Sequence, residues 1–169
     1  EYPILIDDYY LNFDYTIDIL KILEIPYIVL ERKKLYRVKK LLIASHVAPA
    51  GNYNEEIINS ISGKIKNNVK NKQKIPFRKL WISRENAKIR NIVNIGDVKS
   101  LIKKYDYEIV FLENLTTKEQ INIINESIVI AGLQGAGLNN ILYMNNNTNV
   151  LEVRDRKDNH NNCYYSLSS

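Results

Sequence analysis

The sequence predicts an α/β protein built on a parallel sheet, and two observations carry that prediction. From residue 79 onward, short β-branched runs alternate with helical segments, and the run Ile128 to Ala131 is apolar without alternation. Such alternation is typical of βαβ crossovers, and a central parallel strand has both of its faces covered. A length of 169 residues with 45% hydrophobic and 25% charged content supports a real core in one or two small domains.

The pattern of the first 74 residues predicts a partial N-terminal α/β domain, on the acceptor side, and a linker. Pro26 ends the first helix, and the Lys- and Asn-rich stretch before Pro76 is the predicted linker. The expected elements are strands over 4–6, 27–30 and 35–44, helices over 12–23 and 55–69, and the linker over 66–74.

Residues 75–169 predict a C-terminal Rossmann-like domain. Its second helix has a capping-box start, because Thr116 is followed three residues later by Glu119. The expected strands are 79–83, 108–112, 128–131 and 149–153, and the expected helices are 96–105, 117–126 and 138–144.

Composition excludes several classes of protein. Cys163 is the only cysteine, so an intrachain disulfide and a cysteine-rich zinc site are excluded, and two histidines leave little material for a histidine-based metal site. No apolar run approaches the roughly 20 residues that a membrane-spanning helix needs. The sequence therefore predicts neither a metal site nor a membrane span in this chain.

The net charge of +5 is unevenly distributed. Residues 64–104 carry 13 basic and two acidic side chains, a local charge of +11, while the rest of the chain sums to −6. This charge is compatible with an anionic partner, and a solvated lysine-rich helix and linker is the alternative interpretation. Nucleic acid is the weaker choice, because Phe77 and Trp81 are the only aromatic residues in that stretch and provide no stacking platform.

Two stretches directly after predicted strands carry candidate chemistry. Ser83 and Arg84 follow the strand that contains Trp81, Arg90 lies six residues further on, and a loop over 132–138 follows the apolar strand. Ligands bind at the carboxyl ends of the strands of an open parallel sheet. A guanidinium is a planar fork of donors that suits a diphosphate or a carboxylate. We expect both stretches to face one crevice.

The loop over 132–138 favours a phosphate site. Gly132, Gly135 and Gly137 let the backbone turn sharply and approach a ligand, and the amides that open the next helix supply donors. The spacing G-x-x-G-x-G matches neither the dinucleotide fingerprint nor the Walker loop, which weakens a nicotinamide-dependent dehydrogenase as an alternative. A tight structural turn without a ligand is the other interpretation.

Taken in order, several motifs resemble glycosyltransferase family 61. The motif match covers residues 79–153, about half of the chain, and residues 2–26 resemble the segment that precedes it in such proteins. The motifs are Trp81 to Ala87, Arg90, Asn94, Glu119 with Gln120, Gly132 to Asn140, and Val150 to Glu152.

The resemblance implies a glycosyltransferase of the two-Rossmann-domain type known as GT-B, here with a short or truncated N-terminal domain. Such an enzyme transfers a sugar from a nucleotide sugar, in our interpretation a UDP-sugar, to a glycan or protein hydroxyl. Transfer in the family inverts the anomeric centre and uses no metal ion. The nucleotide sugar is a co-substrate, and no further cofactor is implied.

Matched residue by residue, the substrate site of the family falls on the C-terminal half of this chain. The resemblance implies that Arg84 and Arg90 face the diphosphate and that Glu152 lies near the ribose or at the closing edge of the site. It also implies that the backbone amides of the glycine loop meet the diphosphate. The remaining substrate-site residues in these motifs are Ser83, Gln134, Gly135, Ala136, Gly137 and Asn140.

An inverting transfer also needs a general base that takes the proton of the acceptor hydroxyl. Asp7 and Asp8 follow the first predicted strand, and His46 lies in a loop after another, so these three residues are the candidates. Each has a plain alternative as a solvated turn or loop residue.

Two departures from the family pattern keep a second function open. Members usually carry His where this chain has Gln134, and Glu where it has Ile95. Gln donates a hydrogen bond but carries no positive charge. The alternative is therefore a catalytically degenerate nucleotide-binding or scaffolding module. The oligomeric state stays open, and both the cytoplasm and the lumen of the secretory pathway are compatible locations.

Overall fold

The computed structural model describes residues 2–45, 51–69, 75–157 and 162–168. Within them lie two parallel sheets, one with the strand order β1-β2 and one with the order β4-β3-β5-β6. The strands are β1 (Ile4–Asp7), β2 (Tyr27–Leu30), β3 (Arg78–Ile82), β4 (Glu108–Val110), β5 (Ser127–Leu133) and β6 (Asn149–Val153). The α-helices are α1 (Asp14–Ile22), α2 (Glu55–Asn68), α3 (Ile95–Lys104), α4 (Thr117–Asn125) and α5 (Cys163–Ser168). Short 3-10 helices cover Asp8–Asn12, Leu112–Asn114 and Ala136–Tyr143.

The four-stranded sheet is parallel throughout. Leu80 of β3 pairs with Glu108 of β4 on one side and with Ile130 of β5 on the other. Ile130 in turn is in register with Val150 of β6. The apolar strand is therefore central, as its lack of alternation predicts, and the prediction of a mixed α/β fold with a parallel sheet is confirmed.

Helices cover both faces of this sheet. Side chains alternate along β3, so Leu80 and Ile82 enter the core beneath α4 and the 3-10 helix Ala136–Tyr143, while Trp81 points to the other face. There Trp81 packs with Ile102 of α3 and with Ala131. The sheet is thus the middle of three layers, which is the arrangement that buries a parallel sheet.

The strand order reverses direction between β3 and β5. The chain passes from β3 through α3 to β4 at one edge, then returns through α4 to β5 on the other side of β3. Right-handed crossovers in opposite directions leave the two helices on opposite faces of the sheet. A crevice consequently opens at the carboxyl ends of β3 and β5, which is where open α/β sheets bind ligands.

The two-stranded sheet packs on the larger unit through helices. Ile22 of α1, Ile65 of α2 and Ile121 of α4 form one buried apolar cluster. The Thr117 hydroxyl of α4 also donates to Asp18 of α1 over 2.7 Å. The two sheets fall on either side of residue 74, and the division into domains at that point stays a prediction.

The strand predicted over residues 35–44 is wrong. No strand is assigned over 31–45, and Leu35 and Ile43 are almost fully exposed, at 103% and 85%. The apolar pattern there resembles a strand, but β2 already pairs with β1 and none of the described strands pairs with this segment. A strand needs a neighbour to satisfy its backbone groups, so the local pattern alone does not form one.

Two predicted helices take a different form. The helix predicted over 12–23 becomes the 3-10 helix Asp8–Asn12 followed by α1, because Asp7 caps the earlier start by accepting from the Tyr9 amide at 2.8 Å. The helix predicted over 138–144 is the 3-10 helix Ala136–Tyr143, with bonds such as Leu138 N to Gly135 O. Gly and Asn favour neither a long nor a regular α-helix, which explains the tighter form.

Most other boundaries shift by one to three residues, and β2 and β6 match their predicted ranges. β5 is longer than predicted because it pairs on both sides as far as Gly132. The capping box of α4 is confirmed, since Thr116 and Glu119 each accept from the other's backbone amide.

The predicted linker over 66–74 begins inside α2, and residues 70–74 lie outside the described part of the chain. None of the described helices is long and apolar enough to span a membrane.

Candidate functional site

The crevice between β3 and β5 brings the two predicted stretches together. Arg84 comes two residues after the end of β3, and Gly135 comes two residues after the end of β5. A Cβ atom on Gly135 would lie 2.0 Å from Nη1 and 2.8 Å from Cζ of Arg84. The guanidinium therefore lies directly against the Gly135 backbone, where any larger residue would displace it.

Arg84 carries an unsatisfied donor in this position. Its Nε is buried and has no hydrogen-bond partner in the described residues, and its Nη2 makes only a long 3.4 Å contact with the Ile89 carbonyl. Burying a charged donor without a partner costs free energy. An anion at this crevice would offset that cost, and a guanidinium binds phosphate oxygens in a charge-assisted way.

Arg90 and Gln134 meet at the same edge. Arg90 adopts left-handed backbone angles, with φ of 59°, and its Nη1 donates to Oε1 of Gln134 over 3.0 Å. The backbone N–H of Gln134 donates to the Val153 carbonyl at the end of β6. Gln134 thus acts here as an acceptor that holds a second guanidinium at the carboxyl ends of the strands.

The glycines of the loop have different surroundings. A Cβ on Gly137 would lie 3.1 Å from Cγ2 of Ile82, and a Cβ on Gly132 would lie 3.3 Å from Cβ of Ile82. These two glycines let the loop pack on β3, whereas Gly135 makes room for Arg84. Ala136 is exposed between them at the first turn of the 3-10 helix, where amides lack partners within the helix.

Three further predicted residues have clear local partners. The Ser83 hydroxyl donates to Oε1 of Glu85, whose other oxygen lies 2.6 Å from Lys99 Nζ of α3. The hydrogen bond from Lys99 holds the pKa of the Glu85 carboxyl below its usual range. Asn140 donates to the Gly137 carbonyl and so braces the loop, and Glu152 lies 3.9 Å from Arg154 Nε near the end of β6.

Asp7 and Asp8 lie at the carboxyl end of β1, in the other sheet. Arg32 pairs with both, at 3.1 Å from Asp7 and 3.4 Å from Asp8. The hydrogen bond from the Tyr9 amide, with help from Arg32, lowers the pKa of the Asp7 carboxyl. A lowered pKa makes Asp7 a weaker base. His46, the third candidate base, lies outside the described residues, so all three assignments stay predictions.

Two clefts flank Arg84, and both also contact Ile82 and Leu133. The first, of about 230 Å³, lies on the α3 side and is called the α3 cleft. The second, of about 290 Å³, lies on the β4 side and is called the β4 cleft. The other lining residues of the α3 cleft are Trp81, Glu85, Asn91, Ile92 and Ile95. Those of the β4 cleft are Ser83, Asn86, Ala87, Leu112, Glu113 and Gly137.

Two features of the clefts were not predicted from the sequence, namely Glu113 and the position of Ile92 and Ile95 in the wall of the α3 cleft. Glu113 follows β4 at the same sheet edge as Arg84, and Asn86 Nδ2 donates to its Oε1 over 2.9 Å. Glu113 directly follows the strand predicted over 108–112, so the strand-end rule applied to every strand would have found it. In the described part of the chain, no three His, Cys, Asp or Glu side chains lie close enough to share a metal ion.

The parallel sheets, the reversal of strand order and the paired guanidinium groups at the strand ends define a mixed α/β protein consistent with a glycosyltransferase fold. The family model of Glycosyltransferase 61 matches residues 6–151, from β1 into β6. The chain therefore belongs to glycosyltransferase family 61, a class that requires a sugar donor and an acceptor. The match extends the motif resemblance to the N-terminal sheet. No curated protein matches the chain.

Proposed function

We propose that this chain transfers a sugar from a nucleotide sugar, specifically a UDP-sugar, to a hydroxyl group of a glycan or protein. We also propose a GT-B arrangement, inversion at the anomeric carbon and no requirement for a metal ion, as the family resemblance implies. The observation that carries the proposal is Arg84, whose buried Nε has no hydrogen-bond partner among the described residues while the guanidinium lies against Gly135 at the β3–β5 crevice.

The chemistry of the transfer explains why two guanidinium groups belong there. When the bond between the sugar and the diphosphate breaks, negative charge builds up on the departing phosphate. Fixed donors that face this charge stabilise the transition state more than the ground state. Arg84 and Arg90 supply such donors, and the first amides of the 3-10 helix Ala136–Tyr143 add partial positive charge.

The acceptor base is proposed among Asp7, Asp8 and His46. Of the two described carboxylates Asp7 is the poorer choice, because hydrogen bonds from Tyr9 and Arg32 lower its pKa. Asp8 accepts from the Arg32 amide through Oδ2 at 3.0 Å. Removal of a general base typically lowers the rate by ~10²- to 10⁴-fold while donor affinity is kept.

The test is a thermal-shift comparison of UDP, UDP-glucose, UDP-GlcNAc, UDP-xylose and NAD. At ~100 times its dissociation constant, a ligand of the folded state stabilises it by roughly 2.7 kcal/mol. We expect a clear rise in melting temperature with UDP or a UDP-sugar and none with NAD. A rise with NAD and none with any uridine nucleotide would overturn the proposal.

A non-catalytic nucleotide-binding module is the second candidate. It is favoured by Gln134, which meets Arg90 as a neutral acceptor where family members usually carry His. Such a module would show the same thermal shift but release no nucleoside diphosphate when supplied with donor and acceptor. Measurement of released UDP therefore separates the two functions.

A further inference from the structure

We propose that the donor lies across Arg84, with its nucleoside in the α3 cleft and its sugar ring in the β4 cleft, where Glu113 and Asn86 bind the sugar hydroxyls. The inference rests on the proposed function and adds the orientation of the donor and the residues that select the sugar. It follows from the different chemistry of two clefts that share one cation.

The two clefts form one crevice divided by a positive charge. Arg84, Ile82 and Leu133 line both of them, so a ligand that contacts Arg84 has access to each side. A molecule with an anionic centre and two uncharged ends matches this layout. A nucleoside diphosphate sugar is such a molecule, because its diphosphate joins a nucleoside to a sugar ring.

The α3 cleft suits the flat base. Its walls include Trp81, Ile92, Ile95 and Leu133, which offer aromatic and aliphatic surface. Asn91 is its polar contact besides Arg84 and Glu85, and the Glu85 charge is offset by Lys99 over 2.6 Å. Burial of the two faces of a pyrimidine against apolar side chains is favourable, while one amide side chain is enough to recognise its polar edge.

The β4 cleft suits the sugar. Glu113 and Asn86 are hydrogen-bonded to each other at 2.9 Å, and none of the ion pairs among the described residues includes Glu113. An ionised carboxylate accepts from up to about four donors, so the Asn86 contact leaves capacity for hydroxyl groups. The same charge repels a diphosphate, which keeps the phosphates beside Arg84 rather than in this cleft.

The reverse orientation is disfavoured on the same grounds. A sugar ring in the α3 cleft would place hydroxyl groups against Ile92 and Ile95, where they would lose their bonds to water. Each buried hydroxyl without a partner costs about 1–3 kcal/mol. A base in the β4 cleft would meet the Glu113 carboxylate and lose the apolar walls.

The experiment measures two dissociation constants for each variant by calorimetry, one for UDP and one for the UDP-sugar that the wild-type chain binds best among UDP-glucose, UDP-GlcNAc and UDP-xylose. The variants are Glu113→Gln and the control Asp106→Asn. Asp106 is exposed at the other end of β4 and has φ of 57°, a conformation that Asn adopts readily. Both substitutions exchange a carboxylate for an amide of the same size.

We expect Glu113→Gln to raise the ratio of the UDP-sugar constant to the UDP constant about tenfold, because hydrogen bonds to a neutral group are weaker than those to a charged one. The constant for UDP itself should change less than twofold, and Asp106→Asn should leave both constants unchanged. A second variant, Ile92→Ser, should weaken UDP about tenfold and leave inorganic pyrophosphate unaffected.

The outcomes separate this inference from the proposed function. If the wild-type chain binds no uridine nucleotide, the proposed function itself fails. If UDP binds but no UDP-sugar binds, or if Glu113→Gln leaves the ratio unchanged, the donor orientation is wrong while nucleotide binding stands. Equal weakening of UDP and UDP-sugar by Glu113→Gln would place Glu113 at the diphosphate or nucleoside and would also overturn the inference.

Discussion

Gly135 and Gly137 lie two residues apart in the same loop but have different roles. The guanidinium of Arg84 occupies the space that a side chain at Gly135 would need, whereas Gly137 faces the side chain of Ile82 in the core. Gly135 has φ of 162°, an extended conformation that any residue adopts. Its requirement for glycine therefore comes from Arg84 rather than from backbone strain.

This difference gives a paired prediction. Gly135→Ala should push the Arg84 guanidinium out of the crevice and weaken UDP binding at least tenfold, with unfolding free energy within ~0.5 kcal/mol of the wild-type value. Gly137→Ala should instead lower the unfolding free energy by about 1 kcal/mol, because its methyl group meets Cγ2 of Ile82 at 3.1 Å. Urea unfolding and UDP calorimetry on both variants provide the measurements. If Gly135→Ala lowers the unfolding free energy but keeps the UDP affinity of the wild type, the role given to Arg84 is wrong.

The sequence predicted the presence of the glycine loop but not the separate roles of its glycines. Strand ends and glycine spacing locate a loop at the carboxyl edge, since both follow from local patterns. Which glycine faces Arg84 depends on how β3 and β5 align, and that register comes from tertiary packing. Glu113 could be located from its place directly after a predicted strand, but its contact with Asn86 depends on the same tertiary packing.

At the scale of elements, the strands of the larger sheet were the most predictable part of the chain. β-branched runs bounded by polar loops identify parallel strands locally, and β6 matches its predicted range. The failed strand over 35–44 has a similar local pattern but lacks a neighbouring strand among the described residues. Local pattern therefore predicts an element only where the rest of the fold supplies its partner.

Helix α2 gives a prediction at this scale. Gly63 lies in the interior of α2. Apart from its chain neighbours and the backbone of the helix itself, no atom of the described residues would lie within 4 Å of a Cβ there. Gly63→Ala should raise the unfolding free energy by about 0.5–1 kcal/mol, because glycine weakens a helix interior relative to alanine. Gly96→Ala is the matched control, since Gly96 is equally open but lies in the first turn of α3, where the gain should be smaller. A loss of stability at Gly63, measured by urea unfolding, would contradict the open surroundings.

At the scale of the whole molecule, the two sheets are joined through helix packing rather than through shared strands. Ile22, Ile65 and Ile121 bring α1, α2 and α4 into one apolar cluster, and Ser62 of α2 donates to the Leu142 carbonyl. This contact connects the N-terminal helices to the 3-10 helix Ala136–Tyr143, whose first turn forms one wall of the crevice. The family match from residue 6 to residue 151 includes both units.

For the whole molecule, donor binding as proposed depends on one contact, that between Arg84 and the anionic part of the donor. The direct measurement is the UDP dissociation constant by calorimetry for wild type, Arg84→Ala, Arg84→Lys and the control Lys79→Ala. Lys79 lies near the amino end of β3, the strand that precedes Arg84, and its Nζ donates to the Tyr105 carbonyl. This control therefore removes one positive charge away from the crevice.

We predict that Arg84→Ala weakens UDP binding by roughly 30- to 1,000-fold, which corresponds to about 2–4 kcal/mol for one or two charge-assisted hydrogen bonds. Arg84→Lys should recover only part of the loss, because an ammonium lacks the planar fork of donors. Lys79→Ala should bind UDP within about twofold of wild type. Equal UDP affinity of wild type and a folded Arg84→Ala variant would show that Arg84 does not bind the diphosphate.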